Sequence, residues 1–363
     1  MKKIILIIIM LMMIATPVLA QEEDFVRTFE KGVVVSIEEE DVTDNSFITK
    51  IQILQVEMIT GEHKGEIVTV ENVLSTSFIT DIEVEVDQQI LLAVEEYKDG
   101  TTHYFVQSEV RDHYIKYLLI LFILALLLVG KMQGLKTIFT LGVTLFFIFF
   151  FELPLIIKGY NAVIVTVVVA IFITVITVTV ISGLSKKTLA AVLGTTVGVV
   201  VAGGLAIFVS YKVNLTGLSM EEAMMLMSVY ETELNFQHLL FASILLGALG
   251  AIMDVAMSIA SSIDELHNVN NSLSFRELFS SGMRVGRDIM GTMANTLILA
   301  YMGSSLALVL LFMSVNDTAL RIINLDVIAT EIIRSLAGSI GLVATIPVTA
   351  LIAVTLIKDK KFK

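Results

Sequence analysis

The chain has 363 residues, 56% of them hydrophobic, and a formal net charge of −12. A mean hydropathy of +0.86 excludes an ordinary soluble domain, and the acidic balance excludes nucleic acid as a partner. There is no cysteine, so disulfides, thiolate metal sites, a lipoprotein anchor and cysteine nucleophiles are excluded as well.

The charge is not spread evenly. Residues 21–114 hold 22 acidic and 6 basic residues, whereas residues 115–363 hold 14 and 16. An acidic soluble segment is joined to a nearly neutral apolar one. Ahead of both, residues 1–20 read as a secretory signal. Lys2 and Lys3 precede an apolar run from Ile4 to Ile14, and Val18 and Ala20 suit the −3 and −1 cleavage positions. A mature start at Gln21 follows, on the far side of the membrane from the cytoplasm.

Residues 21–114 read as a small all-β, barrel-like extracytoplasmic domain. Lys31–Ile37, Phe47–Met58, Glu66–Glu71, Gln89–Glu95 and His103–Val110 are rich in Val, Ile, Thr and Phe. Several stretches alternate apolar with polar, as in Ile82-Glu83-Val84-Glu85-Val86, and Gly61, Gly65 and Asp99-Gly100 supply turns. Five strands in this length fit a small barrel or a short sandwich.

Residues 115–363 read as a helical multipass membrane bundle. Seven stretches are long enough to cross about 30 Å of hydrocarbon. They are Ile115–Val129, Leu135–Leu155, Ala162–Ser182, Leu189–Tyr211, Leu239–Ser261, Ile289–Met313 and Ile332–Ile357. With residue 21 outside, the inner loops and tail carry Lys131, Lys186, Lys187, Arg276, Arg284, Arg287, Lys358, Lys360, Lys361 and Lys363. The outer loops carry Lys158, Lys212 and Arg321. This bias places the C-terminus in the cytoplasm. Glu152, just before Pro154, reads as the outer end of the second span, and Arg334 as a side chain reaching back to the outer surface. In the long outer loop, Ser219 and Glu222 read as a capping box for a short helix with Met220, Met224 and Met227 on one face. An amphipathic helix on the membrane or over the bundle is the expected result.

The chemistry concentrates in the fifth and sixth spans. Asp254 lies mid-span, where a carboxylate costs about 2.5–3.5 kcal/mol unless it is paired. Gly247, Ala251, Asp254, Ser258, Ser261 or Ser262, and Glu265 recur at spacings of three or four, making one small, polar stripe. Such a stripe suits a proton or cation path, and equally a structural aspartate buried against a neighbouring helix. In the sixth span Asp288, Gly291 or Thr292, Asn295 and Leu299 share a face, with Arg284 able to pair with Asp288 and Arg287 alongside. Asn295 is the expected partner of Asp254. The five histidines form no metal-spaced cluster, and no protease or nucleotide-binding motif occurs. No cofactor and no enzyme activity are expected.

Two long motifs carry a resemblance. The run from Gly247 to Leu266 followed by Ser281–Tyr301 resembles the signature of the YibE/F family of multipass membrane proteins. Gly61, Gly65, Val68, Val70 and Asn72 are similar to that family's G-x-x-x-G-x-x-V-x-V-x-N pattern. The resemblance implies a bacterial cell-membrane protein with an outer β domain and a helical bundle. It implies no activity, and its pattern falls on Asp254, Glu265, Gly282, Arg287, Asp288 and Asn295. The expected function is a secondary transporter or permease for a small solute or ion, the polar stripe serving as its path. The alternative is a non-transporting envelope, signalling or assembly factor whose outer domain binds a partner.

Overall fold

A computed structural model describes residues 25–41, 48–75, 81–229, 234–314 and 318–359. The expected signal segment, 1–20, and Lys360, Lys361 and Lys363 lie outside the described residues. The chain divides into two compact units, the first closing at Ala125 and the second running from Leu126.

The first unit holds five antiparallel strands, β1 (Phe25–Asp41), β2 (Ile48–Met58), β3 (Ile67–Ser75), β4 (Gln89–Tyr97) and β5 (Thr102–Glu109). Their order is β3-β2-β1-β4-β5. β1 is much longer than its sequence pattern suggests because it serves two partners. Its first half pairs with β4 and its second half with β2. A bulge between Val34 and Ser36 bends β1 where it changes partner. The sheet curls into a half-barrel whose edge strands β3 and β5 approach each other. Val34, Leu54, Val56, Met58, Val70, Ile90, Leu92 and Val94 fill its inside.

The alternating run at 82–86 is not a strand. Its backbone bonds go to side chains instead: Gln52 Nε2 donates to the Val84 carbonyl, Val84 N–H donates to Gln52 Oε1, and Asn72 donates to the Ile82 carbonyl. Gln52 and Asn72 are both buried and bonded to each other. The motif from Gly61 to Asn72 therefore has a physical meaning. Val68 and Val70 face the core, Asn72 pins the 82–84 segment, and Gly61 and Gly65 take left-handed backbone. A side chain at Gly61 would also collide with the buried carboxylate of Glu30.

Glu30 belongs to a charged cluster. It accepts a bond from the Glu62 N–H, while His63 lies 3.3 Å from Glu66 and 3.4 Å from Glu96. Burial disfavours a charged His63 ring, but the bonds to Glu66 and Glu96 and the field of Glu30 outweigh it and raise the pKa above 6.5.

The helices are α1 (Asp112–Gly130), α2 (Met132–Ile157), α3 (Ala162–Ser182), α4 (Lys186–Lys212), α5 (Glu221–Val229) and α6 (Phe236–Val269). After these come α7 (Phe275–Ser304), α8 (Leu306–Ser314), α9 (Ala319–Ile323) and α10 (Asp326–Lys358). Among the described residues, six are long and apolar enough to span a membrane by themselves. α7 and α8 make a seventh span only as a pair, bent by 64° at Ser305. The expected seven spans all fall on these elements. α10 runs through Pro347 without ending.

Asn161, Ser185, Asn235 and Ser274 cap α3, α4, α6 and α7 with side-chain oxygens. The full capping box is Ser274 with Glu277, at the start of α7. The one expected at Ser219 gives way to a contact between the Ser219 and Thr330 hydroxyls, 3.4 Å apart. α5 exposes Met224, Met225 and Met227.

α6 is the hub of the second unit, packing against α3, α4, α7 and α10 through Leu245, Leu249, Ile252, Val255 and Ile259. α4 and α10 make the closest pair. Gly194 faces Thr349, Gly198 faces Thr345 and the Gly341 carbonyl, and Gly341 faces Ala202.

Two outcomes follow. Gly198→Leu drives a side chain into Ile252, Thr345 and the Gly341 backbone, and is expected to destabilise the bundle by about 1–3 kcal/mol. Gly204→Leu, with open space around it, is not. Thermal aggregation midpoints of the two variants in detergent distinguish them. For His63, the raised native pKa means that its stabilisation is complete below about pH 6.5 and is lost as pH rises through the native value. The denaturation midpoint of the β unit should therefore fall between pH 5.5 and 8.5 by more in the native protein than in His63→Gln. Equal falls would show that His63 contributes nothing.

Candidate functional site

On α6, large aliphatic side chains point into the bundle and the small, polar stripe points away from it. Ser243, Gly247, Gly250, Asp254, Ser258 and Glu265 are all exposed. Asp254 and Ser258 lie on the wall of a cavity of about 560 Å³ between α3, α6 and α7. Its other lining residues include Ile181, Met257, Ser261, Ile289 and Met293. The cavity is apolar except for one carboxylate and two hydroxyls, all from α6. Asp254 makes no hydrogen bond or ion pair among the described residues. Ser262 turns inward on its own helix, bonding the Ser258 carbonyl at 2.8 Å.

Of the residues singled out in the sequence, Asp254 and Ser258 are brought together in this cavity. Glu265 is exposed near the end of α6, and its neighbour Asp264 takes the cationic partner, Lys187, at 3.8 Å. Arg287, Asp288 and Asn295 lie elsewhere. They share the exposed face of α7, whereas Ile289 and Met293 are the α7 residues at the cavity. Asn295 is not among the residues lining it. Arg284 donates to Ser281 and Arg287 to the Met283 carbonyl, so neither pairs with Asp288. Gly282 and Gly286 are buried against Ile263 and Ile346, which makes them packing positions.

Two polar clusters were not anticipated. Glu152 does not end its span. It lies in a π-helical turn, Ile148–Glu152, inside α2, and its buried carboxylate accepts a bond from the Thr166 hydroxyl of α3. Pro154 occupies the first turn of the helical segment beyond, where its missing N–H is tolerated. Arg334 does not reach for the surface either. It is held 2.9 Å from Glu331, one turn away, and donates to Ser243 of α6 at 3.4 Å. The phenol of Tyr301 is buried beside Gly247 without a hydrogen-bond partner, as are Glu331 Oε2 and Arg334 Nε. Tyr301 and Glu331 border a cavity of about 230 Å³ at the bend between α7 and α8. The spacing of Glu331 and Arg334 was a legible signal for a local pair. The π turn left no sign in composition.

Among the described residues, no group of three or more His, Asp or Glu is arranged to hold a metal ion. The site offers one carboxylate for a proton or monovalent cation and hydroxyls for a polar solute.

The comparisons with known proteins agree on one family. Residues 118–359 match the YibE/F-like protein family, and residues 30–108 match the YibE/F family N-terminal domain. No curated protein and no solved structure matches the chain. The first match takes in α2 to α10 with Asp254 and its cavity, and the second takes in the half-barrel with its Gly61–Asn72 motif. The chain belongs to the YibE/F family.

Proposed function

We propose that this membrane protein is a secondary transporter or permease for a small solute or ion, with Asp254 as the group that takes up and releases a proton or cation. The carrying observation is that Asp254, with no partner among the described residues, stands on the wall of a roughly 560 Å³ cavity among three helices. An unpaired acid in a membrane span is costly, and a water-lined path is the setting that relieves the cost. The broken span α7–α8, the buried Glu152 and the half-buried Glu331 are further supports, since interrupted helices and acids inside spans recur where membrane proteins handle ions. The reading places the protein in the cell membrane with residues 21–114 outside and the C-terminus in the cytoplasm. Its support is the loop charges, with Lys131, Lys186, Lys187, Arg276, Arg284 and Arg287 on one side.

A second reading, an envelope factor that binds a partner, is favoured by the outer face of the β sheet. Phe25, Tyr97, His103 and Phe105 make a chain of ring contacts with centroids 5.2–6.4 Å apart. Arg27 stacks on Phe25 and pairs with Glu95, and Phe29 and Phe105 stand about half exposed. Such a platform suits an apolar or ring-bearing partner.

Reconstitution in liposomes separates the two. Charge movement after pH and sodium jumps is expected in the native protein and is expected to vanish in Asp254→Asn while insertion is unchanged. A normal transient in the variant makes Asp254 structural and removes the basis of the transporter reading. Absence from both proteins, with insertion verified, shifts the weight to the envelope reading.

A further inference from the structure

α7 exposes a polar face at heptad spacing on the side away from the bundle. α1, α3 and α10 show apolar side chains outward, such as Leu118, Phe122, Phe172, Val175, Leu336 and Ile340, as lipid requires. α7 shows Arg284, Asp288, Gly291 and Asn295, followed by Ile298 and Met302. Every one of these six residues is exposed, and the successive spacings are four, three, four, three and four. This is a heptad seam, opposite the face through which Leu278, Gly282, Gly286 and Leu297 pack into the bundle.

Such a seam is not stable against lipid. Asn295 lies about 10 Å of helix rise beyond Asp288, inside the span, and no described residue satisfies its amide. Its spacing of 3.5 residues is the signature of a second helix lying alongside, not of a solvated face.

We infer that the occupant is a second copy of this chain, with the two α7 helices packed in parallel about a twofold axis along the membrane normal. The seam is self-complementary in this arrangement. With Asp288 and Asn295 at equivalent core positions, the two Asn295 amides meet and bond each other, the role a core asparagine has in fixing register in parallel dimers. Gly291 between them lets the backbones approach. Asp288 meets its own copy at the same core position, and each carboxylate is flanked by Arg284 and Arg287 of the other copy, so that four guanidinium groups surround two carboxylates and an acid with no cationic partner among the described residues gains two. An antiparallel copy paired at Asn295 would set Asp288 against Met302 and away from the arginines. This inference is independent of the transport reading, because the seam and the Asp254 cavity use different faces of α7.

The absence of native cysteine makes the test direct. Single cysteines are placed in the full-length chain at each position from 281 to 302, and at the lipid-facing controls Phe172 and Ile340, and oxidised in native membranes. Disulfide-linked dimer is expected to peak at 284, 288, 291, 295, 298 and 302, at a yield on the order of fivefold above the controls. Asn295→Leu, combined with the reporter at position 298, should lower the yield while insertion is retained. Yields at 291 and 295 no higher than at the controls would overturn the inference. So would a native-protein mass in nanodiscs of one chain, or free labelling of position 295 by a membrane-impermeant maleimide, which would make the seam a water-facing wall.

Discussion

Helices already in lipid gain little by burying apolar side chains against each other, because the acyl chains are as apolar as leucine. What holds a membrane bundle is close contact and polar bonding, and here the contact is set by missing side chains. Gly194, Gly198 and Gly341 let α4 and α10 come within backbone distance, and Ala202 and Thr345 fill the remaining space. α6 then packs its aliphatic face across this pair. The placement of Asp254 depends on that arrangement. Because α6 turns its large residues toward α4 and α10, Asp254, Ser258 and Ser261 are left to face the cavity.

The β unit solves the opposite problem. Its strands hide apolar side chains while their buried backbone groups must be bonded. One segment, 82–84, has the alternation of a strand and lacks a ladder. Gln52 and Asn72, both inside the half-barrel, supply the bonds that a neighbouring strand would have given. Buried amides of this kind are high-stakes, since removing either one leaves backbone groups unpaired.

Much of this was legible in the sequence, for reasons that differ by element. The spans follow from long apolar runs, and the stripe on α6 from residues recurring every three or four positions. Periodicity states which residues share a face but not where that face points. Asp288, Gly291 and Asn295 share a face as expected, yet it is not the one at the Asp254 cavity. Arg334 was read as a surface anchor because a lone cation near a helix end usually is one. Its partner Glu331 is three residues away, and burial of the pair depends on Ser243 and Tyr301 from other helices. The position of Glu152 is not legible because a proline two residues on normally stops a helix, and here it does not. The break at Ser305 is a tertiary outcome that no local pattern encodes, whereas the barrel-like β unit was legible from five short apolar–polar strands and their turns.

The π-helical turn at Ile148–Glu152 carries a consequence for how relatives of this chain should be compared. Such a turn holds one residue more than an α-helical turn of the same rise. A relative with a regular helix here will match this chain in register before Ile148 and again after Pro154 only if one position is skipped between them. An ungapped alignment would rotate the second half of the span by about 100° and place a lipid-facing residue on Glu152. The site facing Thr166 would then be scored as variable in proteins that keep it.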